Sequence, residues 1–252
     1  MQFDFALAGA NLPQFLAGAG TTMLVVLPVL LLGMILSLPL ALARLSPKPW
    51  LAWPAAAYVA FFRGAPGLIL LYFVYYGIAQ IAAVRAGPLW LLFSSAYNCA
   101  VIAYTLNHTS YVTEILRGAL GSVPAGLVEA AAALGLKPRQ ILLYIRIPVA
   151  LRLGLKAYQN EVLIFIKGTA ALSAITVVDL TAAANKVFYL TYDPFTPLLT
   201  AAAIYWAMIN LMRIGFAGLE ARLNAHLIVE AASRRPARGN SAALAGRRLN
   251  RR

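Results

Sequence analysis

The chain has 252 residues, of which 62% are hydrophobic and only 12% charged, and its net charge is +13. Soluble domains carry about 45–50% apolar and about 25% charged residues, so the composition excludes an ordinary soluble domain and favours a polytopic membrane protein. One cysteine and two histidines exclude a disulfide scaffold and leave little material for a zinc site.

Apolar segments predict an all-α integral membrane protein with about five transmembrane helices. Four runs without a charged residue reach or approach the length of about 20 residues that a membrane helix needs: 5–43, 64–84, 86–113 and 194–212. A fifth apolar stretch, 149–178, contains Arg152, Lys156, Glu161 and Lys167. We expect helices at about 15–43, 58–84, 89–116, 149–178 and 195–219.

The sequence divides into a short N-terminal segment (1–14), a membrane domain (15–220) and a basic tail (221–252). Most of the 21 lysines and arginines fall on one side of the five predicted spans. By the positive-inside rule, that side is cytoplasmic, so the N-terminus is periplasmic and the C-terminus cytoplasmic. The tail is rich in arginine and we expect it to be disordered. Its charge is interpreted as contact with anionic membrane lipid, not with nucleic acid.

The loop between the third and fourth spans, 122–148, predicts two short helices. Pro124 suits the first position of one helix and Gly135 its left-handed C-terminus. Pro138 can start a second helix, and we expect Pro148 to interrupt the chain before the next span. The second helix would place Ile141, Tyr144, Ile145 and Pro148 on one face. A loop this apolar needs either the membrane surface or a groove on a partner protein.

The spacing within this loop carries a resemblance. Glu129-Ala130-Ala131, Gly135 and Ile145-x-Ile147-Pro148 resemble the EAA motif of the permease subunits of ABC importers. Three further segments are similar to polar amino-acid permeases: Arg63-Gly64-Ala65-Pro66, Ser110-Tyr111 through Arg117-Gly118, and Asn160 through Lys167-Gly168-Thr169. Asn160-Glu161-Val162 and Tyr192-Asp193-Pro194-Phe195 look like the branch that carries histidine, lysine, arginine, ornithine and opines. The family often has glutamine where Leu70 and Leu127 stand, so polar roles are not carried over there.

The resemblance implies a transport subunit of the bacterial inner membrane, with no cofactor and no chemistry of its own. Its implied partners are a second, similar permease, two copies of an ATPase and a periplasmic binding protein. The loop would be the coupling helix that sits in a groove of the ATPase, through Glu129, Ala130, Ala131, Gly135, Arg139, Ile145 and Pro148. The chain has no Gly-x(4)-Gly-Lys-[Ser/Thr] motif, which agrees with ATP hydrolysis on another chain.

The fourth span contains the candidate substrate path: Asn160, Glu161, Lys167 and Thr169. An ionisable group within a membrane helix costs about 2.5–3.5 kcal/mol on insertion scales. Glu161 and Lys167 are therefore expected to have a functional or structural role that offsets this cost. They lie about 120° apart around the helix, so each needs another partner or water. We expect Glu161 to meet the cationic end of a substrate; pairing with the partner permease is the alternative. Cys99 and His108 are interpreted as packing residues, and Glu114 as the partner of Arg117.

Other functions remain open. The substrate could be a neutral or acidic amino acid instead of a basic one. A self-contained channel or secondary transporter would predict an internal duplication of the spans, which the sequence does not show. A membrane enzyme would need a catalytic motif such as His-Glu-x-x-His or Gly-x-Ser-x-Gly, and neither occurs.

Overall fold

The computed structural model describes the backbone of residues 2–233 and the side chains up to residue 223, and this part of the chain contains helices without a β-strand. The predicted all-α class is confirmed. The longer helices are α1 (Phe5–Arg44), α2 (Pro49–Gly64), α6 (Ala96–Gly121), α9 (Ile147–Gly168), α10 (Leu180–Thr191) and α11 (Phe195–Ser233). The shorter helices are α3 (Gly67–Tyr72), α4 (Ala82–Ala86), α5 (Trp90–Phe93), α7 (Ala125–Ala133) and α8 (Pro138–Ile141).

Helix α1 serves as the axis of the fold. Its 40 residues span about 60 Å at the usual rise of about 1.5 Å per residue. At its first turn, the Asp4 backbone N–H donates to Thr196 Oγ1 over 3.1 Å. At its last turn, Arg44 pairs with Glu114 over 3.3 Å. The contacts along α1 therefore show at which height along its axis each neighbouring helix packs.

Helix α6 runs parallel to α1, and α9 runs antiparallel to α6. Tyr97, near the start of α6, donates to the Leu24 carbonyl of α1 over 2.8 Å, and Glu114 of α6 meets the end of α1. Gly154, early in α9, faces Ala119, late in α6. A buried apolar cluster holds these three helices together where α1 ends: Ala41, Val112, Leu116, Ala119, Leu120, Val123 and Ala150.

The predicted second span, 58–84, is wrong as a continuous helix. Helix α2 ends at Gly64, α3 resumes at Gly67, and the two segments are bent by 102°. Pro66 is the cause, because proline has no N–H to donate to the carbonyl four residues earlier and restricts the residue before it to extended backbone. Ala65 accordingly has φ −82° and ψ 130°. After α3, the chain continues through a π-helical turn, Phe73–Gly77.

The predicted fourth span, 149–178, is also broken. Helix α9 ends at Gly168, a 3-10 turn covers Thr169–Ala174, and α10 starts only at Leu180. Helix α10 was not predicted. It packs on the first half of α1 through a second buried cluster: Phe15, Ala19, Leu180, Ala183, Ala184, Val187 and Ala201. Helices α9 and α10 follow one another along the bundle, and the helical structure between them is interrupted near Gly18 of α1.

The expected interruption at Pro148 does not occur. The chain is helical from Pro138 to Gly168, with a π-helical turn at Leu142–Arg146 just before the proline. A π-helical turn already interrupts the regular α-helical hydrogen bonds. The N–H that Pro148 lacks is therefore not needed to continue the helix there. The same turn shifts the side-chain phase: Ile141 is 7% exposed, whereas Tyr144 is 72% exposed. The predicted shared face of these two residues is therefore wrong.

The turn between α10 and α11 is built from a left-handed residue and a capping acid. Tyr192 ends α10 with φ 56°, and Asp193 Oδ1 accepts from the Phe195 backbone N–H over 2.9 Å. The hydrogen bond from the Thr196 side chain is the main reason that the pKa of the Asp193 carboxyl lies below its usual range. Beyond this turn, α11 extends to Ser233, so residues 221–233 are helical and the expected disorder does not begin at 221. The rest of the expected disordered tail lies outside the described residues.

Two helices of the described chain, α1 and residues 195–223 of α11, are each long and apolar enough to cross a membrane. Two bent helix pairs could each count as one further span: α2 with its continuation to Gln80, and α6 with α7. The described chain then has up to four spans. Helix α9 carries the four charges noted above and does not meet the same apolarity criterion. The count of five spans stays a prediction, as do the division at 15–220 and the orientation of the termini.

Candidate functional site

The predicted coupling loop forms a separate helix, α7, after α6. The two helices are bent by 63°. Glu129, Ala130 and Arg139 are exposed, whereas Ala131 is only 3% exposed. Ile145 and Pro148 are half-buried where the chain enters α9. Most of α7 is thus open to a partner, while Ala131 fixes the helix to the rest of the chain.

Gly135 closes α7 in the predicted left-handed conformation, with φ +79°. The Leu136 N–H donates to the Ala131 carbonyl over 3.2 Å, and the Gly135 N–H to the Ala132 carbonyl over 3.0 Å. These two bonds define a Schellman motif, which satisfies carbonyls that the helix end leaves unpaired. A β-carbon at Gly135 would meet no atom within 4 Å, so the requirement for glycine comes from the backbone alone.

The break between α2 and α3 is held by polar side chains of α6. Pro66 has no N–H, so the Phe62 carbonyl lacks its helical donor. Asn107 Nδ2 donates to this carbonyl over 2.7 Å. Tyr111 donates to the neighbouring Arg63 carbonyl over 3.3 Å, and its ring lies 5.2 Å from the Arg63 guanidinium. Helix α6 therefore supplies hydrogen bonds to carbonyls that the backbone break leaves without helical donors.

The two helix breaks lie close together. A β-carbon on Gly67, just after the first break, would lie 3.9 Å from the Tyr104 ring. The Tyr104 hydroxyl also donates to the Gly168 carbonyl, just before the second break, over 3.4 Å. Further along, Tyr75 Oη and Thr176 Oγ1 lie 2.9 Å apart. Membrane transporters commonly bind substrate at such discontinuous helices, so this level is the candidate site.

Glu161 lies on α9 two turns before its break, facing α6. Its side chain is 14% exposed, and Oε1 lies 3.7 Å from His108 Nδ1, whose side chain is fully buried. Gly33 of α1 completes the enclosure, since a β-carbon there would lie 2.7 Å from His108 Cδ2. The structure thus places an acid and an imidazole together inside the helix bundle.

The other predicted path residues do not join Glu161. Asn160 and Lys167 are exposed, and Thr169 is fully buried with its hydroxyl donating to the Ile166 carbonyl over 2.6 Å. Lys167 lines an open groove of about 570 Å³ between α9 and α11, together with Ala170, Ala202, Tyr205, Trp206, Ile209, Asn210 and Arg213. The predicted set is therefore divided between an enclosed acidic position and an open basic groove.

The helical architecture and the motif in the loop 122–148 agree with a family match. Residues 20–225 match the model of the "binding-protein-dependent transport system inner membrane component". The chain belongs to this family. It is accordingly a transport subunit and not an enzyme. Membership of a family of inner membrane components explains the apolar composition.

Two relatives of this transport subunit cover most of its length. The octopine transport system permease protein OccM of Rhizobium meliloti is 38% identical over 208 residues, or 82% of this chain and 85% of that protein. The histidine/lysine/arginine/ornithine transport system permease protein HisM of Escherichia coli K12 is 37% identical over 205 residues, or 79% of this chain and 86% of HisM. The resemblance found in the motifs is confirmed.

A solved structure of an amino acid ABC transporter with histidines has a chain similar to this subunit. Its TM-score is 0.77 at 29% identity, covering 88% of this chain and 100% of that chain. A chain of the methionine transporter MetNI, in an inward-facing conformation, has a TM-score of 0.70 at 20% identity and supports the fold alone. The permease fold of ABC importers is therefore shown.

Sequence reasoning missed several polar residues of this permease. Asn107 and Tyr111 complete the break at Pro66, and Asp179 caps α10 while fully buried against Gly18. Their signal was present in the sequence, because Asn and Asp are depleted in apolar helices unless they hydrogen-bond. The position of Pro66 within a supposed span pointed to the same break.

Proposed function

We propose that this chain forms, with a second permease subunit, the translocation path of an ABC importer for a basic amino acid or opine. A separate ATPase, present in two copies, drives transport, and a periplasmic binding protein delivers the substrate. The loop 122–148 couples ATP hydrolysis to the movement of the helices. The names of the relatives OccM and HisM support the substrate class.

The observation that carries this proposal is the exposed helix α7. Leu127 and Leu134 are 47% and 81% exposed, so an apolar helix stands open at the end of α6. Such a surface is stable in solution only when a partner groove or the membrane covers it. The motif residue Glu129 is exposed on the same helix and free to contact an ATPase. Helix α7 therefore has the chemistry of a coupling helix.

Glu161 supports a cationic substrate. Its side chain is 14% exposed, lies on α9 two turns before the break, and approaches His108 Nδ1 to 3.7 Å. A carboxylate in a low-dielectric environment attracts a passing cation more strongly than it would in water. A basic amino acid or a guanidinium-containing opine would supply that cation.

Reconstitution tests the proposal. The chain is assembled with its partner permease, ATPase and binding protein in proteoliposomes, and stimulated ATP hydrolysis and uptake are measured for arginine, lysine, histidine, ornithine, octopine, glutamine and glutamate. We expect basic amino acids or octopine to stimulate both activities. Stimulation by glutamine or glutamate alone would reject the basic substrate class while keeping the importer. Uptake by the purified chain without an ATPase would reject the importer itself.

The variant Glu161→Gln tests the substrate class at one residue. It preserves size and polarity but removes the charge, so uptake of a cationic substrate should fall more than about tenfold, equivalent to about 1.4 kcal/mol. Uptake of any neutral substrate of the same system should be unchanged, which serves as the internal control. Equal losses for both substrates at normal assembly would show that Glu161 has a structural role.

An acidic substrate is the second candidate, and the groove that contains Lys167 and Arg213 favours it. Two cationic side chains beside Tyr205 and Asn210 could hold a carboxylate. The same substrate screen decides between them: glutamate-stimulated transport that fails in Lys167→Gln, while Glu161→Gln remains active, would assign the path to this groove.

A further inference from the structure

An apolar groove lies where the end of α1 meets the two loop helices. Leu42 and Leu45 of the α1 end line it together with Leu120 of α6, Val128 of α7 and Ile141 of α8. Its volume is about 520 Å³, within the range of about 300–1,000 Å³ that small-molecule sites occupy. Leu120 and Ile141 are 2% and 7% exposed, whereas Leu45 is 38% exposed, so the groove has a packed interior and an open side. We call this site the α1–α8 groove.

Arg146 is the charged residue that lines the α1–α8 groove. Its Nη2 donates to the Leu120 carbonyl at the end of α6 over 3.4 Å, which holds the guanidinium beside the groove. None of the ion pairs among the described residues includes Arg146. A guanidinium has several N–H donors in a geometry that suits a phosphate, so Arg146 can bind an anion without losing its bond to Leu120.

The segments that border the groove carry an excess of positive charge. Residues 42–48 and 137–146 contain five basic side chains and no acidic one: Arg44, Lys48, Lys137, Arg139 and Arg146. Arg44 is already paired with Glu114. The acid of α7, Glu129, is exposed and does not line the groove. The surroundings therefore complement an anion, while the lining complements an apolar chain.

We propose that the α1–α8 groove binds one anionic phospholipid, with its phosphate at Arg146 and an acyl chain against Leu42, Leu120 and Ile141. The groove lies at the end of α1, a helix long and apolar enough to cross a membrane. Basic pockets between membrane helices recognise anionic headgroups in this way. A zwitterionic headgroup or an uncharged protein segment would cover the apolar lining but leave the surrounding cations unbalanced. The inference is independent of the transported substrate.

A lipid in this groove would connect the loop helices to the bundle. Leu45 and Leu120 belong to the ends of the bundle helices, whereas Val128 and Leu142 belong to the loop. Because burial of apolar surface is favourable, an acyl chain that covers both sets would hold the loop against the bundle. The orientation of α7 would then depend on the lipid as well as on the contacts within the chain.

Lipid titration of the purified full-length chain tests the site. Binding of phosphatidylglycerol and of phosphatidylcholine is measured by native mass spectrometry for wild type, Arg146→Gln and Arg139→Gln. Arg139→Gln is the matched control, because it removes the same charge from the same loop at an exposed residue outside the lining. We expect Arg146→Gln to weaken binding of the first phosphatidylglycerol at least about fivefold, the effect of one cation at an anionic surface.

The control and the reference lipid define the specificity of that effect. Arg139→Gln should bind phosphatidylglycerol like wild type, and phosphatidylcholine should bind weakly and equally to all three proteins. The basic tail, 221–252, is identical in these proteins, so its own attraction to anionic lipid cancels in the comparison.

A second pair of variants tests the apolar part of the site. Leu142 is half-buried and lines the groove, so Leu142→Trp fills it with a larger side chain. Leu143→Trp is the control, since Leu143 is 45% exposed and lies outside the lining. We expect Leu142→Trp to lose the tightly bound phosphatidylglycerol and Leu143→Trp to retain it. If Arg146→Gln does not purify as a helical protein, this pair decides the result.

Several outcomes would overturn the inference. Equal losses in Arg146→Gln and Arg139→Gln would show attraction to general surface charge, not to a site. Competition by glycerol phosphate, which lacks acyl chains, would show a site for free phosphate. Wild-type lipid binding by both Arg146→Gln and Leu142→Trp would remove the lipid from this groove, and a loss of ATPase association in the same variants would assign the groove to a protein contact.

Discussion

Three glycines of α1 look alike in the sequence but meet different neighbours in the fold. A β-carbon at Gly18 would lie 2.8 Å from the Asp179 carbonyl oxygen and 2.9 Å from Leu180 Cα, both backbone atoms. At Gly33 it would lie 2.7 Å from a ring atom of His108, and at Gly20 it would meet nothing within 4 Å. Gly18 thus allows α10 to approach α1, and Gly33 makes room for the imidazole.

This difference predicts a ranking of alanine variants. In a helix interior, alanine is favoured over glycine by about 0.5–1 kcal/mol, so Gly20→Ala should be neutral or stabilising. Gly33→Ala must displace the His108 ring, and Gly18→Ala must displace backbone, with overpacking penalties of about 1–3 kcal/mol. Thermal unfolding of the three purified variants should give Gly18→Ala the lowest midpoint and Gly20→Ala the highest. A Gly18→Ala protein as stable as Gly20→Ala would contradict the close approach of α1 and α10.

Residue-level prediction succeeded where the conformation is local. The positive φ of Gly135 followed from proline, glycine and the intervening apolar run, and the pairing of Glu114 with Arg117 followed from their i,i+3 spacing. The contact between His108 and Glu161 could not be predicted in the same way. It depends on the register of α6 against α9, because the two residues lie 53 positions apart in the sequence and no local pattern encodes such a contact.

At the scale of elements, the helix breaks show what hydropathy alone overlooks. A sliding apolar window treats the segment around Pro66 as one span, whereas the backbone hydrogen bonds show two helices at 102°. Each freed carbonyl then needs a donor, and α6 supplies one to each of Phe62 and Arg63. Asn107 and Tyr111 of α6 therefore complete the helix break that Pro66 causes between α2 and α3.

Replacing Asn107 with leucine tests this feature. The variant Asn107→Leu leaves the Phe62 carbonyl without a donor in an apolar environment, which should destabilise the protein by about 1–3 kcal/mol. Asn98→Leu is the matched control on the same helix, because the Asn98 side chain donates a longer hydrogen bond of 3.4 Å to the Leu91 carbonyl in an exposed region. Thermal unfolding should show a clear loss for Asn107→Leu and little change for the control. Equal midpoints would show that water or lipid, and not Asn107, satisfies the break.

The proposed coupling helix, α7, gives a second test. Gly135→Val places a β-branched residue at φ +79°, where an L-residue costs about 1–2 kcal/mol or more, although the surrounding space is open. We expect this variant to reach the membrane, to bind the ATPase weakly in a pull-down and to lose uptake. Asparagine tolerates left-handed backbone, so Gly135→Asn should retain most of the uptake.

Gly126→Ala is the control, since Gly126 lies within α7 and a β-carbon there meets nothing within 4 Å. It should leave ATPase association unchanged or improve it through better helix propensity. Full uptake by Gly135→Val at normal expression would remove the coupling role from this helix end. Equal loss in Gly135→Asn would show that the side chain, not the backbone conformation, is at fault.

For the whole molecule, composition and charge predicted the class of protein, and long apolar runs predicted its main helices. The interruptions within those runs were not predicted, because membrane helices are recognised by average hydropathy while breaks depend on single hydrogen bonds. Helix α10 was not predicted for the same reason. Residues 149–178 were assigned to one span, so 180–191 were left as a loop. The candidate site lies at these interruptions, so its position could not be predicted without the fold.

The last prediction concerns which ends of the helices share a side of the membrane. Asp4 and Thr196 meet at one end of α1, and Arg44 and Glu114 meet at the other, about 60 Å away along the helix. A hydrocarbon core is only about 30 Å thick, so if α1 crosses it, we expect the two ends on opposite sides. By the positive-inside rule, we then expect the Arg44 end in the cytoplasm.

Single cysteines at Ser46 and Thr191 test that assignment in a Cys99→Ser background, where the buried native thiol is removed. Thr191, at the exposed end of α10, should react with a membrane-impermeant maleimide added to intact spheroplasts. Ser46 should react only after the membrane is opened, because it follows α1 at the Arg44 end. A cysteine at the buried Ala184 should stay unlabelled in both samples and controls for denatured protein. Labelling of Ser46 and Thr191 from the same side would contradict this assignment, because α10 packs on the first half of α1 whereas Ser46 follows its other end.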